Sequence, residues 1–160
     1  MALPQEAGTS LGNEGRCRPW PWTERRYMKE PGGLQVLLVD DHAIVRKGIR
    51  SMLESYGDIQ VVGEASNGIE AIKLMEQLHP GIVLMDINMP KMDGVEATTQ
   101  IMSKYPDTII IGLSVHASTG NQEAMARAGA VRLIPKEQAA DLLYDAIHAT
   151  VRSREPSKGP

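Results

Sequence analysis

Five side chains in this sequence follow apolar runs of strand length and are of types that do chemistry. Asp40 and Asp41 close the run "LQVLLV" that begins at Leu34, Asp86 closes "GIVLM", Ser114 closes "TIIIGL", and Lys136 follows "VRLI" and Pro135. Singly, each has an ordinary explanation. An Asp after a strand is most often a helix N-cap or a turn residue, which is the favoured reading for Asp41 alone. A serine there is commonly a cap, and a lone lysine is commonly a solvated charge. Convergence changes the balance, because like charges ~4 Å apart repel by roughly 4 kcal/mol at an effective dielectric near 20. Three carboxylates brought together therefore require a cation. Few hard oxygen ligands, with room for water and a phosphate oxygen, suit Mg2+ better than zinc. Neither the four His nor the one Cys makes a zinc-ligand pattern. With a divalent ion at hand, one carboxylate becomes a nucleophile towards phosphorus and forms an acyl phosphate. Such transfer asks mainly for in-line positioning and neutralisation of the equatorial oxygens. The ion, the Ser114 hydroxyl and the Lys136 ammonium can take one oxygen each.

These residues need a scaffold that brings strand ends together. The apolar runs, with "IQVVGEA" from Ile59 as a fifth, are nearly continuous, which is what strands covered on both faces require. Between them lie stretches with helical spacing: Val45, Ile49, Met52 and Leu53; Ile69, Ile72 and Met75; Val95, Ile101 and Met102. A fourth helix, from about Asn121 to Ala128, offers only the thin stripe Ala124, Met125 and Ala128. The fifth is the clearest, with Leu142, Leu143, Ala146, Ile147, Thr150 and Val151 on one side. Five units of strand then helix predict an α/β fold, a doubly wound five-stranded parallel sheet with helices on both faces. In such a sheet ligands gather at the carboxyl ends of the strands, so all five side chains fall along one edge.

At 160 residues the chain suits one domain with a full core. A net charge of -3 gives no general attraction to nucleic acid or anionic membrane. No apolar stretch is long enough to span a bilayer or to act as a secretory signal, and Cys17 has no partner for an internal disulfide. The expectation is a cytoplasmic protein. Residues 1–33, with Pro4, Pro19, Pro21, Pro31 and five glycines, read as a flexible leader containing "RPWPW" at Arg18 to Trp22. Residues 34–152 read as the domain, and 153–160 as a short polar tail or a linker.

From about Leu34 to Arg152 the chain resembles the receiver domain of bacterial two-component response regulators. The likeness rests on "VDDH" (Val39 to His42), "MDINMPKMDG" (Met85 to Gly94), "GLSVHA" (Gly112 to Ala117) and "AGAVRLIPKE" (Ala128 to Glu137). It implies a flavodoxin-like receiver fold with strand order 2-1-3-4-5. It implies Asp86 as phosphoacceptor, and Mg2+ held by Asp40, Asp41, Asp86 and the backbone carbonyl of Asn88. Ser114 and Lys136 would bind the phosphoryl group, and Met89–Pro90 with Asp93–Gly94 would form the loop after the acceptor strand. Asn88 and His116 stand where the family tunes phosphoryl lifetime. The implied donor is a histidine kinase or a phosphotransfer domain, docking on helix one, with Arg46 and Lys47, and on the loop after strand five. On this view the chain is a signalling phosphoacceptor that assists its own transfer and dephosphorylation. It would switch a surface for a protein partner or for a phosphorylation-dependent homodimer. The sequence departs from the family at the aromatic position three before Lys136, which is Leu133. "DDHAIVRKGI" resembles receivers that precede a helix-turn-helix domain, and "RLIPKE" those attached to hybrid sensor kinases. With no recognition helix after Arg154, direct nucleic-acid binding by this chain is not expected.

Three rival readings fit less well. A metal-dependent phosphohydrolase wants a second acid two residues after the nucleophile, where Asn88 stands. A dinucleotide-binding protein wants a glycine-rich turn where Asp40 and Asp41 would repel a pyrophosphate. An interaction domain that has lost phosphorylation would not need the complete set of acids, hydroxyl and lysine.

Overall fold

Successive residues of a strand face opposite sides, so a strand covered on both sides must be apolar at every position. The computed structural model describes residues 33–154, together with the backbone of 9–11 and 17–19. Its order is β1 (Leu34–Val39), α1 (Ala43–Glu54), β2 (Ile59–Ala65), α2 (Gly68–Leu78), β3 (Ile82–Asp86), α3 (Gly94–Lys104), β4 (Ile109–Ser114), α4 (Thr119–Ala128), β5 (Arg132–Pro135) and α5 (Ala139–Ser153). A 3-10 turn at Lys136–Gln138 joins β5 to α5. The strands are parallel and run in the order β2-β1-β3-β4-β5. This is the expected flavodoxin-like receiver topology.

Alternate strand residues feed two cores. Leu34, Val36, Leu38, Leu84 and Ile111 meet Ile49 and Leu53 of α1 and Leu143, Ile147 and Val151 of α5. Leu37, Val39, Val83, Met85 and Ile110 meet Ala71 and Met75 of α2, Ala97 and Ile101 of α3, and Met125 of α4. The outer helices thus lie two on one face and three on the other.

Two residues assigned to apolar helical faces are exposed, Ile69 at 41% and Leu142 at 37%. In α2 the inward positions are Gly68, Ala71 and Met75. Asn67 accepts from the Glu70 N–H and so starts the helix at Gly68, a phase that turns Ile69 outward. Small residues hold the inner line, so a search for large apolar ones misplaces the face. Helix α4 begins two residues before its expected start, because the Ser118 hydroxyl caps it by accepting from the Asn121 N–H. Gly129, with φ 114, ends it.

Within the expected leader, Thr9–Leu11 pairs antiparallel with Cys17–Pro19. Runs of three residues are too short to show a period. Trp20, Trp22 and the tail beyond Arg154 lie outside the described residues. Among the described residues no helix is long and apolar enough to cross a membrane.

Candidate functional site

Register brings the carboxylates together. Val39 pairs with Met85, so the next residues, Asp40 and Asp86, leave neighbouring strands side by side where the strand order reverses. Ser114 pairs with Pro135, which puts Lys136 one residue beyond the serine's neighbour. Asp40 is fully buried and Asp86 nearly so. The Lys136 ammonium lies between them, its Nζ 2.7 Å from Asp40 Oδ2 and 3.1 Å from Asp86 Oδ2.

The electrostatics follow from that arrangement. Burial first, and then the Asp40 carboxylate, push Asp86 from its ordinary value up to about 6, against the opposing pull of Lys136 and the Asn88 N–H. Burial pulls the Lys136 ammonium down, but the Asp40 and Asp86 carboxylates outweigh it and hold it above the usual lysine value. Two acids and one ammonium leave a net negative, desolvated cluster.

The flanking residues sharpen or correct the sequence reading. Asp41 is half-buried beside the pair and caps nothing: the residue before α1 is His42, which makes no side-chain cap. The Asp40 carboxylate instead accepts from the His42 N–H at 2.8 Å. Arg46 is not a free docking charge. Its guanidinium donates to the Asp40 carbonyl and lies 3.4 Å from Glu64 of β2, tying α1 to the site. The Ser114 hydroxyl donates to the His116 carbonyl at 2.7 Å and accepts from the His116 N–H at 3.1 Å. It is held within its own loop, and the cap of α4 is Ser118. Asn88 is exposed. In the loop after β3 the left-handed residue is Lys91, with φ 67. Gly94 serves there by closeness, since a Cβ on it would stand 2.0 Å from the Asp86 carbonyl oxygen. Asp93 caps α3 by accepting from the Glu96 N–H.

The donor set fits a hard divalent ion. One oxygen each from Asp40, Asp41 and Asp86 comes within 4.8 Å of the others, a set of hard donors for which Lys136 supplies a single positive charge. His42 also belongs to this group. Sequence reasoning quoted His42 only as part of a motif, because three successive residues converge on one point only in a bent, non-helical segment. A separate cavity of about 400 Å³, lined by Met75, His79, Lys104 and Tyr105 among others, opens at the amino ends of β3 and β4, away from these groups.

The family model of the response regulator receiver domain matches residues 36–148. The chain belongs to this family. It is a receiver domain of the kind found in two-component systems. The transcriptional regulatory protein DegU of Brevibacillus brevis is 36% identical over 114 residues, 71% of this chain and 48% of that protein. Protein-glutamate methylesterase/protein-glutamine glutaminase 1 of Methanosarcina mazei is 45% identical over 107 residues, 66% of this chain and 30% of that protein. Among solved structures, the response regulator domain of Thermotoga maritima CheB superposes with a TM-score of 0.71 at 32% identity, covering 78% of this chain and 99% of that one. A LuxR-family two-component response regulator from Aurantimonas sp. SI85-9A1 gives 0.72 at 33% identity, covering 76% and 86%. This receiver chain spans about half the length of the DegU, YhcZ and LiaR regulators that it matches.

Proposed function

We propose that Asp86 accepts a phosphoryl group from a histidine kinase or a phosphotransfer domain, assisted by Mg2+ held on Asp40, Asp41, Asp86 and the Asn88 carbonyl. The observation that carries this reading is the Lys136 ammonium shared between Asp40 and Asp86, at 2.7 and 3.1 Å. One buried acid is thereby kept beside a cation already suited to a phosphoryl oxygen. An Asp86 oxygen attacks phosphorus in line, and the bond to the donor's imidazole nitrogen breaks with its electron pair leaving on that nitrogen. The ion neutralises the carboxylates and draws charge from the phosphoryl oxygens when bound. Lys136 follows the charge from the Asp86 carboxylate to the incoming oxygen. The Ser114 hydroxyl leaves the His116 carbonyl to donate to another oxygen, and that exchange is the start of the switch.

The route outward differs from the family pattern because Leu133 stands at the aromatic position. Leu133 packs over Gly112, where an added Cβ would lie 2.8 Å from Leu133 Cδ1 and 3.0 Å from Met125 Cε. Movement of β4 at Ser114 is therefore passed through Leu133 and Met125 to α4. The named relatives include a transcriptional regulator and a methylesterase, so this module serves different outputs and does not select one.

The test is intact mass after incubation with acetyl phosphate and Mg2+, beside Asp86→Ala and a chelated control. A phosphoryl mass gain that requires both Asp86 and the ion is expected. No gain in the folded protein, with a cognate kinase as well, overturns the reading. Docking on α1 is tested with Lys47→Glu, since Lys47 is exposed while Arg46 holds Asp40 and Glu64. Kinase transfer is expected to slow while acetyl phosphate labelling stays unchanged.

A further inference from the structure

We propose that His42 adds a nitrogen ligand to the acidic cradle and thereby raises its affinity for the borderline ions Co2+ and Zn2+ relative to Mg2+. The inference rests on the metal reading above and extends it to the choice of ion. A ring nitrogen of His42 and one oxygen from each of Asp40, Asp41 and Asp86 all lie within 4.8 Å of one another. Nδ1 stands 2.9 Å from Asp41 Oδ1 and 3.4 Å from Asp40 Oδ1. Ligands around one ion at ~2.1 Å stand roughly 3 Å apart when adjacent and roughly 4.2 Å apart when opposite, so shifts of a few tenths of an ångström close the group.

The backbone of His42 is already fastened to the site. Its N–H donates to Asp40 Oδ1 at 2.8 Å, and its φ of -96° and ψ of 107° hold it outside the helix that starts at Ala43. Among the described residues its ring makes ion-pair contacts with Asp40 and Asp41 and with no other side chain. Its side chain is 65% exposed.

The consequence is chemical. Mg2+ is served by oxygen and gains little from an imidazole, whereas the borderline ions Co2+ and Zn2+ favour nitrogen. A three-carboxylate site selects for hardness, and one ring nitrogen shifts that selection. Which ion resides there then depends on supply.

The test uses the full chain loaded with Mn2+ and read by pulsed electron paramagnetic resonance for nitrogen coupled to the ion. His42→Ala and His116→Ala are measured in parallel, with Co2+ and Mg2+ affinities by calorimetry. Nitrogen coupling in the wild type that disappears in His42→Ala is expected. With it comes a loss of about tenfold or more in Co2+ affinity and a change of less than about twofold for Mg2+. An ion bound without nitrogen coupling, or coupling that survives His42→Ala, overturns the inference and leaves the Mg2+ reading standing. Binding of neither ion, or binding that Asp41→Asn and Asp86→Asn do not weaken, overturns the cradle and the inference together.

Discussion

Carboxylates mark both ends of the sheet, and they are treated in opposite ways. At the amino end Asp58, just before β2, draws its side-chain donors from α5 onto one carboxylate oxygen. Its Oδ2 accepts from the Tyr144 hydroxyl at 2.8 Å and lies 2.9 Å from Nε2 of His148, both on α5. Tyr56 stacks on Tyr144 with ring centroids 3.8 Å apart, and the Asp58 carbonyl accepts from the Leu34 N–H. Gly33, at φ +86, is required there because a Cβ would meet that carbonyl oxygen at 2.3 Å. At the carboxyl end Asp40 and Asp86 share one ammonium, and Asp41 lies beside them. Where donors from another element reach it, a half-buried acid joins elements. Where acids are in excess, the fold stores an unmet demand for a cation, and that excess is the signature of a site.

Removing the one ammonium of the acid-rich end should have the largest effect. Lys136→Met is expected to slow labelling by acetyl phosphate by about 100-fold or more, as loss of one stabilising donor does elsewhere. It should also lower metal-free stability by about 3 kcal/mol, since two buried acids lose their partner. Labelling kinetics and thermal unfolding with and without Mg2+ check both, and unchanged labelling would break the contrast between the two ends.

Asp86→Asn comes next and acts in the opposite direction. Folded Asp86 holds its proton more tightly than the unfolded chain does, with its value near 6. Stability is therefore lost as pH rises from about 4 to about 6, and stays lower above that range. The metal-free variant should be more stable than the wild type at pH 7 by on the order of 2 kcal/mol, with the difference vanishing below pH 4. Saturating Mg2+ should reverse the order, because only the wild type keeps the full cradle. Unfolding followed against pH reads all three.

The smallest effect belongs to the amino end. Tyr144→Phe should cost about 1 kcal/mol, the same with or without Mg2+, and leave labelling unchanged. Burial first, and then the hydrogen bond to Asp58, push Tyr144 up to about 12. The unfolded chain ionises sooner, so the wild type loses stability between about pH 10 and pH 12, a loss the Phe variant lacks. A labelling defect in Tyr144→Phe would mean that the two ends are coupled.

Much of this was legible because strand-end residues are neighbours in an open parallel sheet. Once five apolar runs were recognised, Asp40, Asp86, Ser114 and Lys136 had to share an edge. Other residues resisted for identifiable reasons. The role of Arg46 depends on Glu64, which a crossover brings back from β2. The nearness of His42 to the acids depends on a bend of two residues. Ile69 faces outward because capping by Asn67 sets the phase of α2, and the small residues on its inner side carry little weight in a search for apolar stripes.

By itself the sequence determined the order of strands and helices, the doubly wound class and the identity of the acids at the strand ends. Those properties come from periodicity and residue type, which are local. Only the tertiary structure decided which charge meets which. Lys136 lies between Asp40 and Asp86, Ser114 is held on its own loop, Arg46 reaches across to Glu64 and His42 stands beside the cradle. Coulomb and hydrogen-bond energies change over ångströms, and those ångströms are set by register and packing between segments far apart in the chain.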